Sequence, residues 1–217
     1  MKPSPSHSLK ALPSLIWLLA LALLMTILVA WLVYPLEIDW LGLETATGLP
    51  KPVLWHNYHK LLTYLTNPLV QTLQMQDFPS SKEGLKHFAD VKRLFHLAQL
   101  VFLGTSWQTL SFFRQGFRKR TLWAYQRVYL IAALAPLLLL GLGLMIGFSD
   151  FFTLFHHLLF PGDSSWLFDP QTDPIITALP EAFFYHCFLI FGCFYESLMI
   201  TGYLFSRKMA QAMTKTS

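Results

Sequence analysis

Residues 155–184 read FHHLLFPGDSSWLFDPQTDPIITALPEAFF and separate two long apolar runs. This stretch holds four of the twelve acids of the chain, together with an adjacent histidine pair and four prolines. Its Pro, Gly and Asp residues interrupt it too often for a membrane span or for one continuous helix. Long irregular loops between helices usually carry a functional site. We therefore predict that this loop serves a site.

The composition around this loop is that of a polytopic membrane protein. Residues of the AVILMFWYC set make up 54% of the sequence, charged residues make up only 13%, and the mean hydropathy is +0.44. These values argue against one or two soluble domains. The two cysteines, Cys187 and Cys193, would lie about 240° apart around a helix, so we expect neither a disulfide nor a redox motif.

The order of apolar and polar segments predicts an all-α membrane protein with four transmembrane helices. The predicted spans are residues 15–34, 94–113, 128–148 and 183–205. The first run has twenty uncharged residues, enough to cross a hydrocarbon core of about 30 Å. It is longer than the apolar part of a typical signal peptide, and no small-residue cleavage site follows it, so we interpret it as a retained span.

The charges of the remaining segments predict their orientation. Three segments together hold ten basic residues and no acid: the N-terminus (1–14), the loop 114–127 and the tail 206–217. The segments 35–93 and 149–182 hold every acid except Glu196. The positive-inside rule therefore predicts cytoplasmic termini and two extracytoplasmic segments. Because topology explains the net charge of +4, we predict no nucleic-acid partner.

Segment 35–93 contains two predicted helices. In the first, apolar residues recur at helical spacing and indicate an amphipathic helix at the membrane face: Tyr58, Leu61, Leu62 and Leu65. Ser80 or Ser81 can cap the second helix, and Glu83 lies in its first turn, where the helix dipole favours an acid. This second helix is predicted to continue directly into the second span.

Seven of the eight histidines fall on or near the predicted outer face: His56, His59, His87, His96, His156, His157 and His186. Histidine is the side chain best suited to move protons near neutral pH. Asp90, three residues after His87, could orient its imidazole, or could pair with Lys86 or Arg93 instead. His156 and His157 differ by about 100° on a helix, so only one of them can face a given cleft.

Three other kinds of site are weighed against a proton-transfer site. A zinc site lacks HExxH spacing and has no cysteine outside the predicted spans. A serine hydrolase site is unsupported because GDSS at 162–165 lacks the GxSxG pattern. Glu196, inside the fourth span, is either a functional intramembrane group or a protonated acid that hydrogen-bonds a neighbouring helix.

Two motifs resemble the signatures of the bacterial lipoprotein intramolecular transacylase family of four-span membrane proteins. EGLKHFADVKRLF, residues 83–95, is similar to an E-x-x-H-x-x-D-V-K run; the matching positions are Glu83 (one residue further from the histidine), His87, Asp90, Val91 and Lys92. The opening stretch matches the second signature at Phe155, His156, Phe160, Trp166, Asp169, Pro170, Asp173, Ile176, Pro180, Glu181, Phe183 and Phe184. The sequence departs from that signature at Leu159, which replaces an aromatic residue, and in a turn at 162–165 that is one residue longer.

This resemblance implies an acyl transfer within one lipoprotein molecule. The sn-2 acyl chain of a diacylglyceryl-modified N-terminal cysteine would pass to the α-amine of the same cysteine, which gives a lyso-form lipoprotein. His87 and His156 would serve as a general acid–base dyad, with Asp90 as the orienting residue. Four further residues are expected to support the site: His157, Trp166, Asp169 and Asp173. No cofactor or metal is implied, and the partners are the lipoprotein substrate and membrane lipid.

Two other functions remain open from the residues alone. One is a non-catalytic membrane protein that binds lipid or a lipoprotein. The other is a small transporter or metal-handling protein that uses Glu196 and the histidines. Proton transfer at one shared substrate requires the imidazoles of His87 and His156 to lie within about 4–8 Å of each other.

Overall fold

The computed structural model describes residues 5–215, and these residues form helices and connecting loops without a β-strand. The helices are α1 (Pro5–Trp40), α2 (Leu43–Thr47), α3 (Lys51–Thr66), α4 (Lys82–Arg118), α5 (Gln126–Ile146), α6 (Phe148–Leu159), α7 (Ile175–Ala178) and α8 (Glu181–Lys215). A 3-10 helix, Leu122–Tyr125, precedes α5. The predicted all-α class is confirmed. Residues 1–4 of the predicted N-terminal segment and 216–217 of the predicted tail lie outside the described residues.

Two of the described helices are long and apolar enough to cross a membrane. They are Ala11–Trp40, with a mean hydropathy of 2.7, and Glu181–Thr214, with a mean hydropathy of 1.5. A shorter apolar helix covers Leu122–Leu138. The predicted span 94–113 lies within the single helix α4, which is continuous from the predicted approach helix as expected. The number of spans stays a prediction.

The ends of two helices differ from the predicted span boundaries. Helix α1 begins at Pro5 and ends at Trp40, well beyond the predicted limits of 15 and 34. Those limits were set by polarity, whereas a helix continues as long as its backbone hydrogen bonds do. The third predicted span was expected to end at 148, but α5 ends at Ile146 because Gly147 has a φ of 87° and separates it from α6.

The chain divides into two compact units, each built from separate stretches of the sequence. One unit contains the described residues of 1–25, Ala98–Met145 and the described residues from Ile190 onward. Its core includes Leu122, Tyr125, Tyr129 and Met199. The other unit consists of Thr26–Leu97 and Ile146–Leu189, and it contains both motif regions.

Aromatic side chains form the centre of this second unit. Tyr34 of α1 stacks on Tyr58 of α3 with ring centroids 3.8 Å apart, and its hydroxyl donates to the carbonyl of Ala178 at 2.8 Å. Phe183 meets both tyrosine rings edge to face. Tyrosine is suited to such a position, because its ring packs in the core while its hydroxyl finds a partner.

The surroundings of the apolar face of α3 differ from those predicted. We expected its apolar stripe to lie at the membrane face. Instead Tyr58, Leu61, Leu62 and Leu65 are all buried in the core of the second unit. Helical periodicity identifies an apolar face but not what covers it, so protein and lipid give the same pattern.

A buried polar contact joins α1 and α8 in the same unit. Nδ1 of His186 lies 2.7 Å from Oε2 of Glu37, which is only 2% exposed. Glu37 follows the predicted first span by three residues and lies on the continuous helix α1. A buried carboxylate requires such a partner, so the contact fixes how these two helices pack.

Candidate active site

The two motif histidines lie side by side in the second unit. His87 is on the second turn of α4 and His156 is near the end of α6, and their ring centroids are 5.8 Å apart. Both side chains are buried, with 8% exposure each. The separation lies within the predicted 4–8 Å, although the two residues are far apart in sequence.

The backbone of α6 fixes the tautomer of His156. Nδ1 of His156 is 2.8 Å from the carbonyl oxygen of Phe152, one turn earlier. A carbonyl oxygen only accepts hydrogen bonds, so Nδ1 carries the proton and donates it. In the neutral ring, Nε2 is then the unprotonated nitrogen. This arrangement gives His156 a free proton acceptor.

His87 occupies an aromatic setting that leaves one of its nitrogens unsatisfied. Its ring meets Phe160 at 5.0 Å and Phe168 at 5.5 Å, both edge to face. Its Nδ1 is buried and has no hydrogen-bond partner within residues 5–215. An unpaired buried polar atom costs free energy. A substrate group that reaches His87 Nδ1 would therefore be stabilised there.

Burial keeps both histidines neutral. Desolvation, together with repulsion from a protonated His156, lowers the pKa of His87 from 6.5 to about 4. Nearby Asp163 and Asp90 oppose this shift without reversing it. Desolvation also lowers the pKa of His156, against the hydrogen bond to Phe152. At neutral pH both rings are therefore available to accept a proton.

Trp166 holds the ring of His156 from the loop. The two rings are stacked with centroids 4.6 Å apart and an angle of 22° between them. The indole Nε1 donates to the carbonyl oxygen of Asp163 at 3.0 Å, which fixes the indole on its turn. His157 is exposed and packs edge to face on Trp166 at 5.5 Å. The structure thus buries His156 and leaves His157 exposed, so only one of the two adjacent histidines belongs to the buried pair.

Asp173 fastens the loop to the start of α4. It is 3% exposed, and its Oδ1 accepts a hydrogen bond from the backbone N–H of Ser81 at 2.8 Å. The carboxylate lies so close to Gly84 that an added Cβ would be 2.1 Å from Oδ1. Ser81 Oγ accepts from the N–H of Gly84 at 2.9 Å, which confirms the predicted cap. These contacts set the first turn of the helix that carries His87.

Asp90 pairs with basic side chains and not with His87, which was the second possibility that its spacing allowed. Its carboxylate pairs with Arg93 and with Lys86, the latter at 3.2 Å. His87 Nδ1 remains unpartnered in the described chain, so no hydrogen bond from Asp90 orients it through that nitrogen. At a spacing of three or four residues on a helix, the longer basic side chains reach Asp90 more easily than an imidazole does.

Lys86 and Asp163 belong to the site, although sequence reasoning missed them. Lys86 forms an ion pair with Asp163, 77 residues away, and thereby ties the helix of His87 to the turn of Trp166. This pair and the N–H of Ser165 lower the pKa of Asp163 to about 2, so its charge persists at any physiological pH. The only available signal was the position of Asp163 within the opening stretch.

The surroundings of Asp169, His59 and Glu196 differ from those of the pair. Asp169 is exposed and shapes its own turn, where its Oδ1 accepts from the N–H of Gln171 at 2.9 Å. His59 accepts a hydrogen bond from Trp31 on its Nδ1 at 3.2 Å. Glu196 lies on α8 in the other unit, and its buried Oε1 has no hydrogen-bond partner in the described chain. Among the histidines whose burial the structure describes, His87 and His156 are the two that form a buried pair.

A metal centre finds no support in the described part of the chain. Among residues 5–215, no three His, Cys, Asp or Glu side chains group closely enough to hold a metal ion. The two cysteines are free thiols on α8.

Comparisons with known proteins agree with these motifs and this geometry. The family model for the lipoprotein intramolecular transacylase Lit matches residues 9–184. A solved structure of the membrane integral lipoprotein intramolecular transacylase from Bacillus cereus is 29% identical, with a TM-score of 0.82 over 96% of this chain and 95% of that one. A form of that protein with one histidine replaced by alanine gives 28% identity and a TM-score of 0.77, over 96% and 93% of the two chains. A search of curated proteins gave no significant match.

Proposed function

The chain belongs to the lipoprotein intramolecular transacylase family, and from that premise we propose that it moves the sn-2 acyl chain of a diacylglyceryl-cysteine lipoprotein onto the α-amine of the same cysteine. The product is a lyso-form lipoprotein with an N-acyl group. The observation that supports this most is the buried pair of neutral imidazoles 5.8 Å apart, one with a free acceptor nitrogen and one with an unsatisfied nitrogen.

The transfer needs one proton removed and one proton supplied. The amine nitrogen attacks the ester carbonyl and forms the new C–N bond, while Nε2 of His156 takes the amine proton. The bond between the acyl carbon and the glyceryl oxygen then breaks. The proton held by His156 passes to His87, and His87 delivers a proton to the glyceryl oxygen, so both rings end neutral. No proton is consumed overall.

Proximity supplies much of the rate. The amine and the ester belong to one substrate molecule, so the site needs to hold a single bound conformation instead of collecting two reactants. Apolar walls such as Phe160 and Phe168 favour the neutral amine, which is the nucleophilic form. Trp166 and Asp173 act as positioning residues in this proposal, and His157 and Asp169 support the loop that carries them.

The proposed topology follows the charges. Both termini and the basic loop 114–127 face the cytoplasm, and segments 35–93 and 149–182 lie outside the bacterial plasma membrane. The site then opens at the outer headgroup level. A diacylglyceryl-modified lipoprotein anchored in the outer leaflet would present its cysteine at that depth.

A direct assay tests the dyad. Purified protein in lipid is given a synthetic diacylglyceryl lipopeptide, and mass spectrometry follows the N-acyl lyso product. We expect His87→Ala and His156→Ala each to lower the rate at least about 100-fold, since general acid–base groups contribute about 10²–10⁴-fold. The exposed His56→Ala is the matched control and should retain the wild-type rate.

The same assay can contradict the proposal in two ways. If both dyad variants keep the wild-type rate, the histidines do not carry the proton transfer. If the wild-type protein binds the lipopeptide but forms no product, the protein is a non-catalytic lipoprotein-binding member of the family.

A further inference from the structure

The compact unit that does not contain the histidine pair carries an excess of positive charge. It contains ten basic residues in the sequence, and Glu196 is its only acid. None of its described Arg or Lys side chains forms an ion pair, because every ion pair within residues 5–215 lies in the other unit. Within residues 5–215, these cations therefore have no acidic partner in an ion pair.

Two of these cations border an apolar groove within that unit. The groove lies between the end of α4 and the last turns of α8 and has a volume of about 350 Å³. Arg120 and Lys208 contribute its charged groups, and Phe117, Phe205, Met209 and Met213 contribute apolar surface. The rings of Phe117 and Phe205 meet edge to face at 4.8 Å. Both rings remain partly exposed, with 49% and 39% of their surface accessible.

We propose that this groove binds one anionic diacyl phospholipid. The phosphate lies between Arg120 and Lys208, and an acyl chain covers the exposed faces of Phe117, Phe205 and Met209. Positive side chains beside apolar surface match a lipid that carries a charged headgroup and a hydrocarbon chain together. A soluble phosphate would use only the cations and would leave the aromatic surface in water. This site lies in a different unit from the histidine pair and does not depend on the acyl transfer.

Native mass spectrometry can test the proposal on the full-length protein. The protein is released from nanodiscs that contain equal amounts of phosphatidylglycerol and phosphatidylcholine, and the retained lipids are counted. We expect one retained phosphatidylglycerol for the wild type. Arg120→Gln combined with Lys208→Gln should weaken this retention about 30-fold, the loss expected for two headgroup-paired cations.

The matched control removes the same charge from neighbouring positions. Lys119→Gln combined with Arg207→Gln replaces two exposed cations that do not line the groove, and it should retain the lipid as the wild type does. Ala212→Trp fills the groove without a change of charge and should also abolish retention. Thermal unfolding in detergent confirms that each variant is folded.

Several outcomes would overturn the proposal. Equal losses in the two double variants would mean that diffuse charge attracts the lipid. Equal retention of phosphatidylcholine, or undiminished binding in a folded Ala212→Trp variant, would exclude a specific groove. Displacement of the lipid by soluble glycerol phosphate would show that the cations bind free phosphate groups and that the apolar surface is not involved.

Discussion

A pair of histidines that transfers protons must meet two opposite electrostatic requirements. An imidazole must be neutral to accept a proton, yet it must release that proton readily afterwards. Burial meets both requirements, because it lowers the pKa of His87 to about 4 and also lowers that of His156. In the proposed mechanism, an imidazolium formed on either ring would be more acidic than a solvent-exposed one and would release its proton more readily.

The depressed pKa of His87 predicts how stability depends on pH. Its pKa is about 4 in the folded protein and 6.5 ordinarily, so the unfolded chain binds the extra proton between these values. The stabilising effect is fully present above pH 6.5 and is lost as the pH falls toward 4. We expect the thermal midpoint of the wild type to fall more between pH 7 and 4.5 than that of His87→Asn. Parallel curves for the two proteins would contradict the assigned environment.

The stack of Trp166 on His156 predicts a positioning effect. Trp166→Ala should lower kcat about fivefold, because the loss of one aromatic contact costs about 1 kcal/mol, and KM should change little. Trp166→Phe keeps a ring on the imidazole but loses the hydrogen bond to Asp163, so its kcat should be intermediate. Trp107→Ala, which removes a largely exposed tryptophan from the other unit, is the control. A change in KM alone would instead indicate a role in substrate binding.

The start of α4 is the element on which the site depends most. Its first turn is capped by Ser81, is held by Asp173 from the loop, and leads directly to His87. Lys86 adds a second link to the loop through Asp163. Two long-range contacts therefore fix the helix at the turn that carries one histidine, while the same loop supplies the ring that packs on the other.

A pair of glycine substitutions on α4 tests this connection. Gly84→Ala places a Cβ 2.1 Å from Asp173 Oδ1, so the carboxylate must leave Ser81 and the loop must shift. We expect at least a tenfold loss of kcat and a lower thermal midpoint. Gly104→Ala, on the same helix, meets nothing within 4 Å and should leave kcat unchanged, with stability higher by up to about 1 kcal/mol. Equal effects of the two substitutions would mean that helix propensity, and not the Asp173 contact, governs the result.

The orientation of the whole molecule can be tested by cysteine labelling in intact cells. In a chain with Cys187 and Cys193 replaced by serine, Leu69→Cys and Leu167→Cys place thiols at exposed positions in the predicted outer segments. A membrane-impermeant maleimide should label both without permeabilisation. Lys119→Cys, in the predicted cytoplasmic loop, should react only after permeabilisation. Labelling of Lys119→Cys in intact cells would contradict the proposed topology.

Sequence patterns anticipated much of the fold because hydropathy and helix periodicity are local properties. They identified the long apolar helices, the continuous α4 and the cap at Ser81. They did not reveal that α3 is covered by protein, since an apolar stripe looks the same against lipid and against a core. The end of α5 just before Gly147 was also missed, because hydropathy does not show the backbone conformation of a single glycine.

The candidate site could likewise be predicted only in part from the sequence. Residues of characteristic type within two motifs indicated His87 and His156. The contact between distant residues could not be read from spacing, since Lys86 meets Asp163 across 77 positions. Spacing allowed Asp90 to reach either His87 or its basic neighbours, and only the structure shows that it pairs with the latter. Such pairings depend on how the loop folds over α4, which only the tertiary structure defines.

The contact between Glu37 and His186 has a consequence for biosynthesis. The two residues are 149 positions apart, so Glu37 has been synthesised long before its partner exists. At about 5–20 residues per second, translation of the intervening chain takes roughly 7–30 s. During that interval α1 carries a carboxyl group without the imidazole that pairs with it in the finished protein. Synthesis of α8 is therefore the step that supplies the partner of Glu37, and a chain that stops before His186 lacks this contact.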